Sequence, residues 1–398
     1  MSTIAILGTL DSKGHEHAFV AEIIRSRGHT PLLLDAGCLE PPQVQPDVTR
    51  RDLCPALENL PVDRGVRVAA MAESAPLFVA NLAAAGKIQG IISLGGGGGT
   101  AIGTAVMRAL PIGFPKLMVS TLASGNVAPY VGTKDIVMMP SIVDVAGLNR
   151  ISRTLFRQAA GAICGMVEAA KEDSHARPII VASMFGNTTT CINDAKTILD
   201  AAGYETLVFH ATGTGGRAME SLIESGMVAG VLDVTTTEWA DESVGGILGA
   251  GPTRLDAAAR LGLPTILAPG CLDMVNFGEP QTVPAKFAGR NFYHHNPQVT
   301  LMRTNAQECA ELGRILAEKA NAATGPVSMF LPLRGISIIS AAGQPFHDPE
   351  ADAALFGAIR KHLRPDIPCH ELDATINDPD FSQTCAQALL HMLSSASS

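Results

Sequence analysis

A chain of 398 residues has room for two domains of ordinary size, each with its own core, and with 46% hydrophobic residues but only 4% aromatics those cores must be filled by Ala, Val, Ile and Leu. Such cores suit helices packed on parallel sheets. A net charge of −9 without a basic cluster argues against a nucleic-acid partner, and short, interrupted apolar runs that start at once from Met1 argue against a membrane span or signal peptide, so a cytoplasmic protein is expected.

An apolar strand at 4–7 leads into a loop at 8–14, a helix to about 27 and a second strand at 30–35, which reads as a βαβ unit. The rhythm resumes with a helix at 71–85, a strand at 88–94, five consecutive glycines, a helix at 100–110 and a strand at 116–120. Right-handed crossovers then give an open parallel sheet. A helical stretch at 146–170 runs into the polar segment 171–177 and Pro178, which places the domain boundary at 174/175.

The second half restarts with a strand at 179–183, a loop at 186–189, a helix to 202 and a strand at 206–210. Gly213-Thr214-Gly215-Gly216 opens another helix; then come a strand at 228–234, a polar turn at 235–238 and a strand at 264–268. A long irregular region to 301, a helix to 321 and a strand at 327–331 complete the pattern. The expected fold class is α/β, with two Rossmann-like, doubly wound parallel-sheet domains at 1–174 and 175–398. The similar openings of the two halves are what any βαβ unit produces and are not taken as duplication.

Gly95, Gly96, Gly97, Gly98 and Gly99 stand where a strand turns into a helix, followed by Thr100. Glycine lets backbone N–H groups approach an anion, and the helix start adds free donors and partial positive charge, so the loop is a candidate phosphate cradle. It lacks the Gly-Lys-Ser/Thr ending of a P-loop and the GxGxxG spacing, and a tight turn is the plain alternative. In the loop after the first strand, Gly8, Thr9, Asp11 and Lys13 offer a hydroxyl, a carboxylate and an ammonium: Lys13 for phosphate, Asp11 for Mg²⁺ or a ribose hydroxyl. Equally, Asp11 or Ser12 caps the helix and Lys13 faces solvent. Thr121, Ser124, Gly125 and Asn126 follow the next strand beside the glycine loop, or form an ordinary turn.

The second domain concentrates ionisable residues: His210, Glu238, Asp241, Asp273, Glu279, His294, His295, Arg303 and Arg334. Asp273 with His294 or His210 would make a general acid/base pair, or with Glu238 a divalent-metal site. Arg303 and Arg334 suit a carboxylate or phosphate clamp, although His294-His295 also reads as a surface pair and most arginines face water. The eight cysteines have no CxxC pair or zinc spacing and mostly read as buried apolar residues; Cys271, after a Pro-Gly turn at the end of an apolar strand, is the exception, where a buried, inert thiol is expected over a nucleophile.

With Gly8-Thr9-Leu10-Asp11-Ser12-Lys13-Gly14, the run from Leu94 to Gly99, His210-Ala211-Thr212-Gly213-Thr214-Gly215-Gly216, Asp233-Val234-Thr235-Thr236-Thr237-Glu238, Pro269-Gly270-Cys271-Leu272-Asp273-Met274-Val275-Asn276-Phe277-Gly278 and His295-Asn296-Pro297, the chain resembles the Tm-one-like ATP-binding family over essentially its whole length. That family is named for the tomato protein conferring resistance to tomato mosaic virus, whose corresponding region is understood to bind viral replication protein. The resemblance implies two Rossmann-like subdomains, ATP binding and self-association, with the plant proteins' adjoining barrel domain missing here; it brings no established reaction. Relatives tend to carry Asp shortly beyond Leu333-Arg334-Gly335-Ile336-Ser337, where this chain reads Ile338-Ile339-Ser340.

The expectation is an ATP-binding protein, with Mg²⁺, whose first domain holds the triphosphate and whose second faces it across a cleft. There Asp273, His210, Glu238 and Arg303 would act on a small-molecule substrate. The alternatives are a nucleotide-responsive binding protein that breaks no bond, and an enzyme whose ligand is not ATP. A homodimer is expected from the resemblance.

Overall fold

The computed structural model describes residues 1–169 and 177–396, and the chain divides into two compact units, Met1–Ser174 and His175–Ser398. Of the polar segment at 171–177 that marks the boundary, residues 171–176 lie outside the described residues.

The first unit is built on five parallel strands, β1 (Thr3–Gly8), β2 (Thr30–Asp35), β3 (Gly90–Gly95), β4 (Lys116–Ser120) and β5 (Val137–Pro140), in the order β2-β1-β3-β4-β5. Every residue of β3 and β4 is buried, as unbroken apolar runs require when helices cover both faces. The helices are α1 (Leu10–Ser26), short α2 (Arg50–Leu53), α3 (Arg64–Ala84), α4 (Gly97–Arg108), short α5 (Ala128–Val131) and α6 (Arg150–Ala169). One core layer joins Met71, Ala75 and Val79 of α3 to Ile102 and Val106 of α4; the other joins Val20 and Ile24 of α1 to Phe156 and Ile163 of α6. Each such buried side chain stabilises by roughly 1.5–3 kcal/mol.

Three helices begin earlier than the apolar pattern predicts, α4 among them at Gly97. α3 starts at Arg64 because Asp63 caps it, accepting from Val66 N at 2.9 Å. α1 starts at Leu10 and kinks at Lys13 (φ −136°, ψ 26°), so the expected loop is mostly a bent first turn. Among the described helices α3 alone is long and apolar enough to cross a membrane. Here it packs one stripe into the core.

The second unit has six parallel strands, β6 (Ile179–Met184), β7 (Glu205–His210), β8 (Val228–Thr235), β9 (Thr265–Gly270), β13 (Val327–Pro332) and β14 (Cys369–Leu372), ordered β14-β13-β9-β8-β6-β7. The stretch that reads as irregular instead holds an antiparallel sheet of β10 (Met274–Phe277), β11 (Phe292–Asn296) and β12 (Val299–Arg303), ordered β10-β12-β11. Helices α7 (Thr189–Ala201), α8 (Thr214–Glu224), α9 (Glu238–Val244), α10 (Asp256–Leu261), α11 (Ala306–Asn321), α12 (Pro349–His362) and α13 (Pro379–Ala396) surround the main sheet. α7 and α13 share one core with Ile192, Phe381 and Leu389, and α11 and α12 another with Leu312 and Leu355. The fold is α/β with two doubly wound, Rossmann-like units.

Candidate functional site

In a doubly wound sheet, ligands collect at the carboxyl edge where the strand order reverses. In the first unit that point lies between β1 and β3. The loops leaving these strands line a cavity of about 470 Å³, closed by Cys38, Leu39 and Glu40 after β2, Arg64 and Val68 of α3, Thr121 after β4 and Asp144 after β5.

Its floor is the start of α4. Gly96 is the N-cap without a side-chain cap, and the first helical bond runs from Thr100 N to Gly96 O at 2.8 Å. The amides of Gly97, Gly98 and Gly99 are thus the orphan donors that every helix start leaves, and these residues line the cavity. An anion there meets three N–H groups and the positive end of a twelve-residue helix. Gly97 is not needed for packing, because a Cβ there would have nothing within 4 Å. Gly95 is: its Cβ would stand 2.8 Å from the Cα of Gly99, so only glycine lets β3 turn into α4.

Two cations line the same cavity. Arg64 Nη2 lies 3.9 Å from where a Cβ on Gly98 would sit, and no acidic residue shares the first turn of α3. A cation at a helix start opposes the helix dipole, and the capping carboxylate of Asp63 is its neighbour in sequence. Lys13, at the kink of α1, donates from Nζ to the carbonyl of Val145. Asp11 ties α1 to the loop after β2, its Oδ2 accepting from Cys38 N and Leu39 N at 3.0 Å each. Cys38 is no nucleophile: burial, with Asp11 beside it, pushes its thiol up to about 11. Asp35, where dinucleotide-binding folds place their ribose-reading acid, is buried and taken by Arg50 Nε at 2.9 Å and Gly37 N at 2.8 Å.

Of the residues singled out from sequence, Thr9, Asp11, Lys13, Gly96 to Gly99 and Thr121 line this cavity. Gly8, Gly95, Thr100, Ser124, Gly125 and Asn126 are not among its lining residues. Gly8 leaves room for the buried His17 ring, whose Nε2 would stand 2.1 Å from a Cβ. Thr100 is buried, sharing a 2.7 Å hydrogen bond with Ser120. Asn126 accepts from Ala128 N at 3.1 Å ahead of α5. Arg64, Glu40 and Asp144 escaped the sequence reading.

The second unit carries its glycine loop elsewhere, after the edge strand β7, which matches β2, and not after β8, which matches β3. The glycine loop that opens α8 is filled from within: Glu238 Oε1 accepts from Gly213 N at 2.6 Å and Gly216 N at 3.0 Å. Its Oε2 accepts from Arg254 Nε at 2.7 Å, while Arg254 also makes a bidentate pair with Asp233 at 2.5 and 2.7 Å and reaches Glu220 at 3.2 Å. Burial alone would lower the pKa of Arg254, and the three carboxylates outweigh it and raise it. Sequence inspection passed over Arg254. At the reversal point between β6 and β8, Thr188 and Thr235 share a hydrogen bond of 2.8 Å, and Thr235 N donates to Ser183 Oγ at 2.9 Å.

Asp273 is fully buried; burial pushes its carboxyl up to about 6 against the opposing pull of Arg303 and of Ser337, whose hydroxyl donates to Oδ2 at 2.8 Å. Arg303, 3% exposed, donates to Asp352 Oδ1 at 2.6 Å and to the carbonyl of Phe346 at 2.8 Å. Only His210 among the four expected catalytic residues is exposed, at the end of β7 with its ring edge-on to Phe185 at 5.8 Å. The expected pairings of Asp273 with His210, His294 or Glu238 are not formed among the described residues. Neither do three or more His, Cys, Asp or Glu side chains converge there as a metal site. Glu238, Asp273 and Arg303 all lie inside the fold: Glu238 and Arg303 are paired with charged neighbours, while Asp273 is held through Oδ2 by Ser337 and its Oδ1 has no hydrogen-bond partner.

Family models for the N-terminal and C-terminal domains of the uncharacterised protein family UPF0261 match residues 2–172 and 177–393. A UPF0261 protein of Clostridium tetani is 46% identical over 398 residues, covering 98% of both chains. The ToMV resistance protein Tm-1(GCR237) of Solanum lycopersicum is 41% identical over 337 residues, 83% of this chain but 45% of the tomato protein. Among solved structures, the UDP-N-acetylglucosamine 2-epimerase of Rickettsia bellii covers 99% of this chain and 96% of its own at 10% identity and a TM-score of 0.24, too slight a likeness for any argument. With both halves matched by the two domain models and relatives aligned end to end, the chain belongs to the UPF0261 family, to which the tomato protein's homologous region is similar.

Proposed function

We propose that the protein binds ATP at the switch point of its N-terminal unit and works as a nucleotide-responsive binding protein. The observation that carries this reading is the set of free Gly97, Gly98 and Gly99 amides on the floor of a cavity that Lys13 and Arg64 also line. Its volume, about 470 Å³, falls in the range of roughly 300–1,000 Å³ common for small-molecule sites. The engaged Asp35 disfavours a dinucleotide read through its ribose and favours recognition through phosphates. Asp11, in the wall, is the carboxylate that would meet Mg²⁺ arriving with the phosphates, which is how this ion is usually carried. Bound there, Mg²⁺ would neutralise phosphate charge.

The binding reading is preferred to catalysis on a metabolite because Asp273, Glu238 and Arg303 are buried and engaged with other side chains. The tomato relative's name, which speaks of resistance to a virus, also fits a binding role. Self-association is proposed on the family resemblance, and light scattering tests it.

Calorimetric titration with ATP and Mg²⁺, followed by assay for ADP and phosphate, tests the function. Saturable binding without turnover is expected, and Arg64→Ala should weaken it by about tenfold or more, the loss of one charge-assisted contact. Turnover would restore the enzyme reading, and absence of binding would remove ATP from the site.

A further inference from the structure

Residues 141–149 link β5 to α6 and gather several unusual features in a single short stretch. Ile142, a β-branched residue 73% exposed, sits at φ +61°, where its Cβ crowds the backbone and no burial offsets the cost. The turn is held by Val143 N donating to Ser141 O and Ser141 Oγ donating to Val143 O, both at 2.6 Å. Asp144 then lines the phosphate cavity. Beyond it, two side chains of α1 fasten the backbone: Lys13 Nζ to the carbonyl of Val145, and Glu16 Oε1 to the amide of Gly147. Asn149 next caps α6, its Oδ1 accepting from Ile151 N and Ser152 N at 2.9 Å. Strain of this kind persists only where surroundings enforce it, and it gathers at clamps and switches.

We propose that Lys13 is a latch: in the free protein it fastens the 141–149 segment, and a phosphate arriving on the glycine amides draws it away and releases that segment. This rests on reading the N-terminal cavity as a phosphate site. The competition is decided by charge. Val145 offers the ammonium a neutral carbonyl, whereas phosphate offers the same donor a full opposite charge as well as an acceptor oxygen. The carboxylate of Asp144, in the same wall, is repelled by the incoming anion and pushes in the same direction. Freed of Lys13, the segment stays anchored by Glu16 and by the buried Val145 side chain, while the exposed stretch around Ile142 can return to negative φ. The nucleotide state of the cavity is thereby passed to the start of α6.

Hydrogen exchange read by mass spectrometry on the full chain, with and without ATP and Mg²⁺, tests this. Amides of residues 143–148 should exchange about five- to tenfold faster with ATP bound, the effect of losing one hydrogen bond, while the glycine-loop amides slow. Lys13→Met should raise exchange of the segment in the free protein and abolish any further rise. Ile142→Gly, which removes the strain without touching the cavity wall, should shrink the ATP-induced rise and serves if the Lys13 variant does not fold. ATP binding by calorimetry with exchange at 143–148 unchanged or slowed would overturn the latch and leave the phosphate site standing. Absence of ATP binding would overturn both.

Discussion

Asp241 accepts from the backbone amide of Asn276 at 2.9 Å and from its side-chain nitrogen at 2.7 Å, yet burial is the larger effect and pushes its carboxyl up to about 7. The folded protein therefore holds a proton that the unfolded chain, with an aspartate near 4, has already released. The stability this contributes is fully present below about pH 4 and is lost as pH rises toward 7. Asp273, pushed up to about 6, acts with the same sign. Asp241→Asn removes the titration, and Asn276, whose Oδ1 has no partner, can turn its amide to accept from the new carboxamide. Urea titrations between pH 4 and 7 should show the variant losing less stability, with the slope reduced by up to about 1.4 kcal/mol per pH unit. An unchanged slope would mean that Asp241 is ionised throughout. Arg254→Met should cost about 3–5 kcal/mol in the same assay, because it strands Asp233 and Glu238 as buried charges. Nothing local betrays Arg254 in the sequence, since its partners lie 16, 21 and 34 residues away along the chain.

At the scale of elements, what was legible is what is local. An apolar run, a glycine loop and a helix succeed one another within twenty residues, so β3, the turn after it and α4 could be read directly. β10, β11 and β12 could not, because they are four or five residues long, pair antiparallel across a register shift near His294, and leave β11 mostly exposed and polar. Pairing that depends on distant partners leaves no periodicity behind. The start of α4 also allows folding and binding to be separated. Gly97→Ala has open space for its methyl and replaces a flexible residue inside a helix, so thermal stability should hold or rise, by at most about 1 kcal/mol, while ATP affinity falls as the methyl enters the cradle. Gly95→Ala drives a Cβ against the Gly99 backbone and should destabilise the protein itself. Equal effects of the two substitutions on melting temperature would contradict this division.

Across the whole molecule, the two units share a winding pattern and each has a glycine loop, although in the second unit that loop follows the edge strand β7, the counterpart of β2 and not of β3. The first unit leaves its helix-start amides open to a cavity, whereas the second covers Gly213 and Gly216 with the Glu238 carboxylate and stitches its reversal point shut with threonine and serine hydroxyls. A Cβ on Gly216 would stand 2.1 Å from a Glu238 oxygen, so little room remains for a phosphate. A carboxylate on these amides does the electrostatic work that an anion would do, and Arg254 holds it in place. Calorimetry should accordingly give one ATP per chain. Glu238→Gln sets the amide nitrogen of its new side chain against either the loop N–H groups or Arg254, and so should lower the urea midpoint while leaving that single ATP affinity unchanged. A stoichiometry of two, or an affinity that falls with Glu238→Gln, would show that the second loop takes part in binding and that its carboxylate is displaced by the ligand.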